Sequence, residues 1–236
     1  MPVFLYARYK MAFHLPNGAT VFVAPASGDP ITITDISNAA NAVLTLSGGT
    51  VEVGDVVLLS SSWTALDNLV GKVTAVSGAQ ATIGGVNTSN AKIFPTGSGS
   101  GSLRVVESAD WVQIPQITEV AASGGEQQYY QFQFLEDDTQ RSLPTYKSAK
   151  TQTYTVAHDS DQPFYPVLKE ADLAGDTLAV YMYVPKAKET RYWSVVPSFS
   201  GEPNPVVNQI ETVTVAFAVQ SKGTTFYKDE NTAPGS

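Results

Sequence analysis

The chain has 236 residues, 43% hydrophobic and only 15% charged, against a usual charged share of about 25%. That is enough apolar surface for one large domain or two small ones, and it excludes a disordered chain, which needs low hydrophobicity and high net charge. Fourteen basic residues against 22 acidic ones give a net charge of −8, which excludes a surface that grips nucleic acid, because phosphate binding needs clustered Lys and Arg.

The absence of cysteine excludes disulfides, thiolate nucleophiles and Cys-ligated metals. Two histidines, His14 and His158, leave little room for imidazole chemistry. Arg8 and Lys10 follow the first apolar residues, the reverse of a signal peptide. No run approaches about 18 consecutive apolar residues. The expectation is a soluble, cytoplasmic product without membrane insertion.

In chain order the sequence reads as almost wholly β. Short β-branched and aromatic runs alternate with Gly, Ser, Asn, Asp and Pro. Such runs predict strands over 19–24, 31–36, 42–46, 55–60, 71–76, 81–83, 91–94 and 103–106. Their spacing suggests a small barrel or sandwich. Residues 95–102, PTGSGSGS, read as a flexible connector, the alternative being an exposed hairpin tip. Charge divides near this point: residues 25–105 carry five acids and three bases, and residues 106–236 carry seventeen acids and nine bases. The expected division is an arm and first strand at 1–25, a small β module at 26–104, a larger β domain at 105–228 and a tail at 229–236.

The larger part carries longer strands. One is predicted over 111–120. In EQQYYQFQFLE, residues 126–136, Tyr130, Phe132 and Phe134 share one face while Gln131 and Gln133 share the other, the pattern of a half-buried strand. Residues 151–158 place Tyr154 and Val156 opposite Thr153 and Thr155. Residues 211–220 alternate Val213, Val215, Phe217 and Val219 with Thr212, Thr214, Ala216 and Ala218. Strands over 178–184 and 192–199 complete a sheet system. The one helix is predicted over 162–173, with Asp161 as N-cap and Gly175 as the αL stop. Phe164, Val167, Leu168 and Ala171 fall on one face, which is expected to pack on the sheet. Residues 136–150 read as a long connection between neighbouring strands, bearing Glu136, Asp137 and Asp138, then Arg141, Lys147 and Lys150; a connection of this length is often functional, but the residue types favour a solvated, salt-bridged hairpin extension.

Catalytic patterns are scarce. His158, Asp159, Ser160 and Asp161 supply the residue types of a hydrolase triad, but adjacency in sequence is not triad geometry. Glu136, Asp137 and Asp138 lack the ligand spacing and glycine of a calcium loop. No HExxH, GxSxG or P-loop is present. No catalytic, cofactor or metal site is therefore assigned. Trp63, Trp111 and Trp193 would suit a carbohydrate platform if exposed, but tryptophans in β proteins are more often core residues.

The order of these weak signals resembles the major tail tube protein of long, non-contractile phage tails. The resemblance covers about residues 107–222 and rests on WVQIPQITEV, QFLEDD leading to PTYKSA, DSDQPFYPVL, and the alternating strand ETVTVAFAVQSKG. The segment 31–106 resembles an additional small β module found in one branch of that family. The resemblance implies two packed β-sheets flanked by one helix, and subunits in rings, usually hexameric, that stack into a tube for the passing genome. It implies that lumen-facing or inner-barrel residues come from Gln131, Gln133, Thr153, Thr155, Thr212 and Thr214, a face that either lines the lumen or meets a neighbouring subunit. It implies that the 136–150 loop reaches an adjacent ring, with Glu136, Asp137 and Asp138 set against Arg141 and Lys147. Phe164, Leu168 and Ala171 would pack the helix outside the inner barrel, residues 1–18 would form an arm, and the module at 26–104 would decorate the exterior. The implied partners are other copies, tape-measure, tail-tip and tail-terminator proteins, and transiting DNA held without specific contacts. The implied place is the virion tail, after assembly in the host cytoplasm. The rival readings are a tail-tip or surface module that binds a host glycan through Trp63 or Trp193, and a hydrolase using His158.

Overall fold

A computed structural model describes residues 15–228. Residues 1–14 and 229–236, with His14, most of the expected arm and the expected tail, lie outside the described residues. After β1 (Thr20–Pro25), six short strands follow: β2 (Ile31–Ile36), β3 (Ala42–Ser47), β4 (Val56–Ser61), β5 (Val70–Ser77), β6 (Gln80–Ile83) and β7 (Gly101–Val106). They close into a barrel in the order β2-β3-β6-β5-β4-β7, which leaves no free strand edge. Ile33, Leu44, Leu59, Val73, Ile83 and Leu103 fill it.

Two expectations fail in this region. Residues 91–94 form a turn, not a strand, and Phe94 packs on Trp63 with ring centroids 5.2 Å apart. The Gly-Ser run is not a free connector. The Ser98 hydroxyl accepts the Trp63 indole N–H at 2.9 Å, and Gly101 and Ser102 begin β7, which runs on to Val106 and closes the barrel. Glycine is needed at 101 for closure itself: φ is +155°, and a Cβ there would stand 2.0 Å from the Ser60 carbonyl oxygen.

The second unit is built from β8 (Val112–Ile114), β9 (Ile117–Ser123), β10 (Gln127–Phe132), β11 (Arg141–Lys147), β12 (Thr151–Ala157), α1 (Phe164–Ala174), β13 (Leu178–Val184), β14 (Glu189–Ser198), β15 (Thr212–Val219) and β16 (Thr225–Lys228). The single strand predicted over 111–120 is two, because Pro115 and the left-handed Gln116, φ 55°, break it. Strand order is β8-β1-β13-β14-β15-β12-β9, with β16 also on β14. One part of β14 pairs with β16 and the other with β15, so the sheet bends about this strand into two layers. Their apolar faces share one core. Val21, Val23, Val180 and Val195 come from one layer, and Tyr154, Val156, Val213, Val215 and Phe217 from the other. Phe164, Leu168 and Ala171 of α1 fill the same core. The fold is thus a β-sandwich with one flanking helix, plus the closed barrel.

The helix ends as expected at Gly175, φ 71°. Its start differs. The N-cap position is Pro163, without a side-chain cap, and Asp161 is not used. Asp159 fastens the approach instead, its carboxylate accepting from the Gln162 side chain at 2.6 Å and the Asp161 backbone N–H at 3.2 Å. These bonds hold the Asp159 carboxyl below its ordinary range.

The barrel docks on the outward face of the β1-β13-β14-β16 layer. Ala24, Tyr181, Tyr192 and Tyr227 meet Val56, Val70 and Val106 there. Burial pushes the Tyr181 hydroxyl well above its ordinary range, so it stays neutral. Backbone contacts fix the docking. The Tyr227 hydroxyl accepts from Lys72 N–H at 2.7 Å and donates to the Gly84 carbonyl at 2.8 Å, and Thr225 donates to the Val70 carbonyl at 2.7 Å. Tyr227→Phe is expected to cost about 1–3 kcal/mol, since it strands buried backbone groups. Urea unfolding reads this, and an unchanged midpoint would leave the docking to apolar contacts alone.

Candidate functional site

Catalytic residue types are present but not assembled. His158 Nδ1 shares a 2.7 Å hydrogen bond with the Tyr165 hydroxyl, while Asp159 is engaged by Gln162. The pair fastens the start of the helix. Among the described residues no group of three or more His, Asp or Glu side chains is placed to hold a metal, and no helix is long and apolar enough to cross a membrane. Trp63 and Trp193 are each only 4% exposed. The carbohydrate platform that either would anchor is therefore not at the surface.

Among the described residues, two other surfaces carry no internal partner. The first is the outward face of the β9-β12-β15 layer. Cross-strand register sets Thr155 beside Thr214 and Glu119, Thr153 beside Ala216 and Ala121, and Thr151 beside Ala218 and Ser123. Thr212 stands opposite Ala157. No side chain in this set is fully buried, and Glu119 is its one charge. The period of two makes the face: every second residue of β12 and β15 enters the core, so the residues between must point away from it. Beneath the face, burial pushes the Tyr154 hydroxyl up to about 12, so the core behind it is uncharged too. Four of the expected inner residues, Thr153, Thr155, Thr212 and Thr214, come together here. Gln131 and Gln133 do not: Gln131 lies on β10 and Gln133 just beyond it.

The second surface is a two-stranded ribbon of β10 and β11 that joins no other sheet. This corrects one expectation, since residues 126–136 are not a half-buried strand of the main sheet. Residues 136–150 carry β11 and extend an exposed hairpin salt-bridged between Asp137 and Arg141, as their residue types favoured. Every residue of β11 is exposed. Tyr129, Tyr130, Phe134, Leu143 and Tyr146 are all more than half exposed, and Leu135 at the tip is 103% exposed. The rings of Tyr130, Phe132 and Phe134 do line up on one face, 6.2 and 5.2 Å apart, but among the described residues none covers them. An isolated ribbon of this kind is marginal in water, and clustered exposed apolar side chains mark an interaction surface.

The charges near the tip are partly spent within the chain. Asp137 Oδ2 accepts from Arg141 at 2.7 and 3.0 Å, and Gln133 donates to the Asp137 carbonyl at 2.7 Å. Lys147 lies at the other end of the ribbon, opposite Gln127. Glu136 and Asp138 remain exposed at the tip.

A family model described as phage tail tube protein, TTP, matches residues 61–229, well over half of the chain. The chain belongs to that family. No match to a curated protein was found. As a tail tube protein it is a structural component of the virion tail, and it associates with itself and with other tail proteins. The match begins in the last residue of β4, so it takes in part of the barrel as well as the sandwich. The resemblance read from the residues began the tube domain later, near 107, and gave 31–106 to an additional module of one branch of the family. Sequence reasoning read a solvated hairpin extension at 136–150 but missed that its first strand, β10, also stands apart from the main sheet. The one signal for it is large apolar residues at adjacent positions, Tyr129 with Tyr130 and Phe134 with Leu135, which a strand with one buried face does not need.

Proposed function

We propose that this tail tube protein forms closed rings, hexameric as is usual in the family it resembles, and that the rings stack into a tube that conducts DNA during ejection. In this reading the lumen wall is the open face of Thr153, Thr155, Thr212 and Thr214. The absence of any basic side chain from that face among the described residues, in a chain of net charge −8, carries the proposal. Threonine, alanine and serine offer phosphates no ionic partner, so DNA slides without being held. Glu119 and the acidic surplus repel phosphates over about 8 Å at physiological salt, a range that matters in a narrow channel.

The same geometry supports an exterior barrel. The barrel covers the outward face of one layer, the neutral face is the outward face of the other, and the two layers share a core. They therefore point away from each other. We divide the chain accordingly into an arm and first strand at 1–25, an accessory module at 26–104 whose closing strand runs on to Val106, a tube domain at 105–228 and a tail at 229–236. Tape-measure, tail-tip and tail-terminator proteins are the proposed partners, and assembly is proposed in the host cytoplasm.

Virions carrying Thr155→Arg and Thr214→Arg test the lumen assignment. The two positions are cross-strand neighbours, and ring symmetry repeats the new charges around the channel. Tails of normal length with DNA ejection slowed about tenfold or more are expected. Normal ejection would place this face elsewhere.

A further inference from the structure

Where the barrel meets the sandwich, an open cleft of ≈ 410 Å³ remains, within the roughly 300–1,000 Å³ of small-molecule sites. The period of two along β4 and β7 builds its barrel wall. Leu59 and Leu103 point into the barrel and are buried, so Leu58, Ser60, Ser102 and Arg104 point out. Register sets Ser60 opposite Ser102 and Leu58 opposite Arg104, which puts two hydroxyls and a guanidinium on one patch. The sandwich adds Pro25 at the end of β1, with Asp176 and Thr177 just after the helix stop at Gly175. Asn68 completes the polar lining.

These polar groups are largely unengaged within the chain. Among the described residues, the hydroxyls of Ser60, Ser102 and Thr177 and the Asp176 carboxylate make no hydrogen bond. Arg104 donates one, from Nη1 to the Gly28 carbonyl at 3.2 Å, and among the described residues it forms no ion pair with Asp176. Asn68 is the most constrained of the set. It holds the left-handed conformation, φ 57°, which asparagine tolerates better than most side chains. Its N–H donates to the Leu59 carbonyl at 2.9 Å, and its own carbonyl accepts from the Ser194 hydroxyl of the sandwich. The backbone is thus clamped between the two units. The side-chain amide keeps only a long contact of 3.5 Å to Asp67, so a rigid backbone carries a free amide to the cleft.

We propose that this seam cleft, distinct from the buried Trp63 and Trp193, is a binding site for a neutral sugar ring. One cation and one anion line it, so a charged ligand meets attraction and repulsion together. The other polar groups, hydroxyls and an amide, both donate and accept. The hydroxyls of a sugar do the same: Asp176 accepts from them, while Arg104 and the Asn68 amide donate to sugar oxygens. Leu58 and Pro25 offer the C–H face of the ring an apolar contact. Among the described residues no aromatic ring lines the cleft, so a single site is weak. Repetition strengthens it. In the proposed tube every subunit carries one cleft beside the exterior barrel, and many weak sites hold a repeating polysaccharide through avidity. The source is therefore a polysaccharide at a cell surface, not a free sugar. The cleft stands on its own geometry; its repetition rests on the tube reading.

Ligand-observed NMR of the full chain with glucose, galactose, mannose, N-acetylglucosamine, maltose and lactose tests the site. At least one is expected to bind, with a dissociation constant of about 1 mM. Asp176→Ala and Arg104→Ala are each expected to weaken it about tenfold or more. Both side chains are exposed and lie outside the cores, so thermal melting should change little. Binding by none of these sugars, or binding that both variants leave intact, overturns the proposal. So does a preference for N-acetylneuraminate that only Arg104→Ala removes, which would make the cleft an anion site. Virions on immobilised amylose, mannan or galactan are expected to be retained about a hundredfold more strongly than the dispersed chain. Equal retention overturns the polysaccharide source in favour of a free sugar. Binding by the dispersed chain that is lost in virions upholds the cleft and defeats the exterior placement of the barrel, so the two fail separately.

Discussion

Gly124→Ala is expected to abolish higher-order assembly while leaving the sandwich and barrel folded. Gly124 stands where the chain leaves β9 for the ribbon, at φ +82°, and a Cβ there would lie 1.8 Å from the Ala149 carbonyl oxygen. No side chain fits at that distance, and the backbone obstacle cannot rotate away. The left-handed conformation adds a cost of about 1–3 kcal/mol for a residue other than glycine. The foot of the ribbon must therefore open. Its backbone bonds from Gly125 N–H to Ser148 O at 3.1 Å and from Ser148 N–H to Glu126 O at 2.9 Å are the first to go. The ribbon adds nothing to the two main cores, so the melting temperature should change little. What changes is the direction in which Tyr130, Phe134 and Leu135 are presented. Sedimentation velocity beside thermal melting separates the two effects. Assembly at the wild-type level would show that the ribbon is not an assembly element.

Phe164→Ala has the opposite signature. Phe164 is fully buried at the start of α1, with Tyr165 at 4.8 Å and Phe199 at 6.1 Å between ring centroids. Removing the ring loses its transfer free energy and leaves a cavity that the surrounding strands cannot close, a cost of about 3–5 kcal/mol. For a chain of this size that corresponds to a melting temperature lower by roughly 10 °C. Leu173→Ala on the same helix, at an 89% exposed position, should move it by no more than about 0.5 kcal/mol. Equal effects from the two variants would mean that the helix does not close the sandwich core.

The sequence patterns carried the parts of this fold that depend on local rules. Strand 31–36, the alternation of β12 and β15, and the helix stop at Gly175 were all readable because a period of two, a period near 3.6 and an αL glycine act within a few residues. The neutral face of Thr153, Thr155, Thr212 and Thr214 was readable for the same reason. What the pattern could not carry was partner choice. The residues of β10 alternate just as those of β12 do, yet β10 pairs only with β11 and never reaches the core. Periodicity shows that two faces differ, not that either is covered. The Gly-Ser run failed for a related reason. Small residues permit a flexible connector, but here they permit the close backbone approach of β7 to β4. β16 went unread because it is four residues long, and its hold on β14 and the barrel is wholly long-range.

Electron cryomicroscopy of tails built from this protein tests the central claim most directly. The expected density is a stack of rings whose channel is walled by β9, β12 and β15, with Thr155 and Thr214 facing the lumen. The barrel should stand on the exterior, and the ribbon should bridge to another copy. A channel walled by the barrel or by α1, with the threonine face turned outward to solvent, would contradict the account.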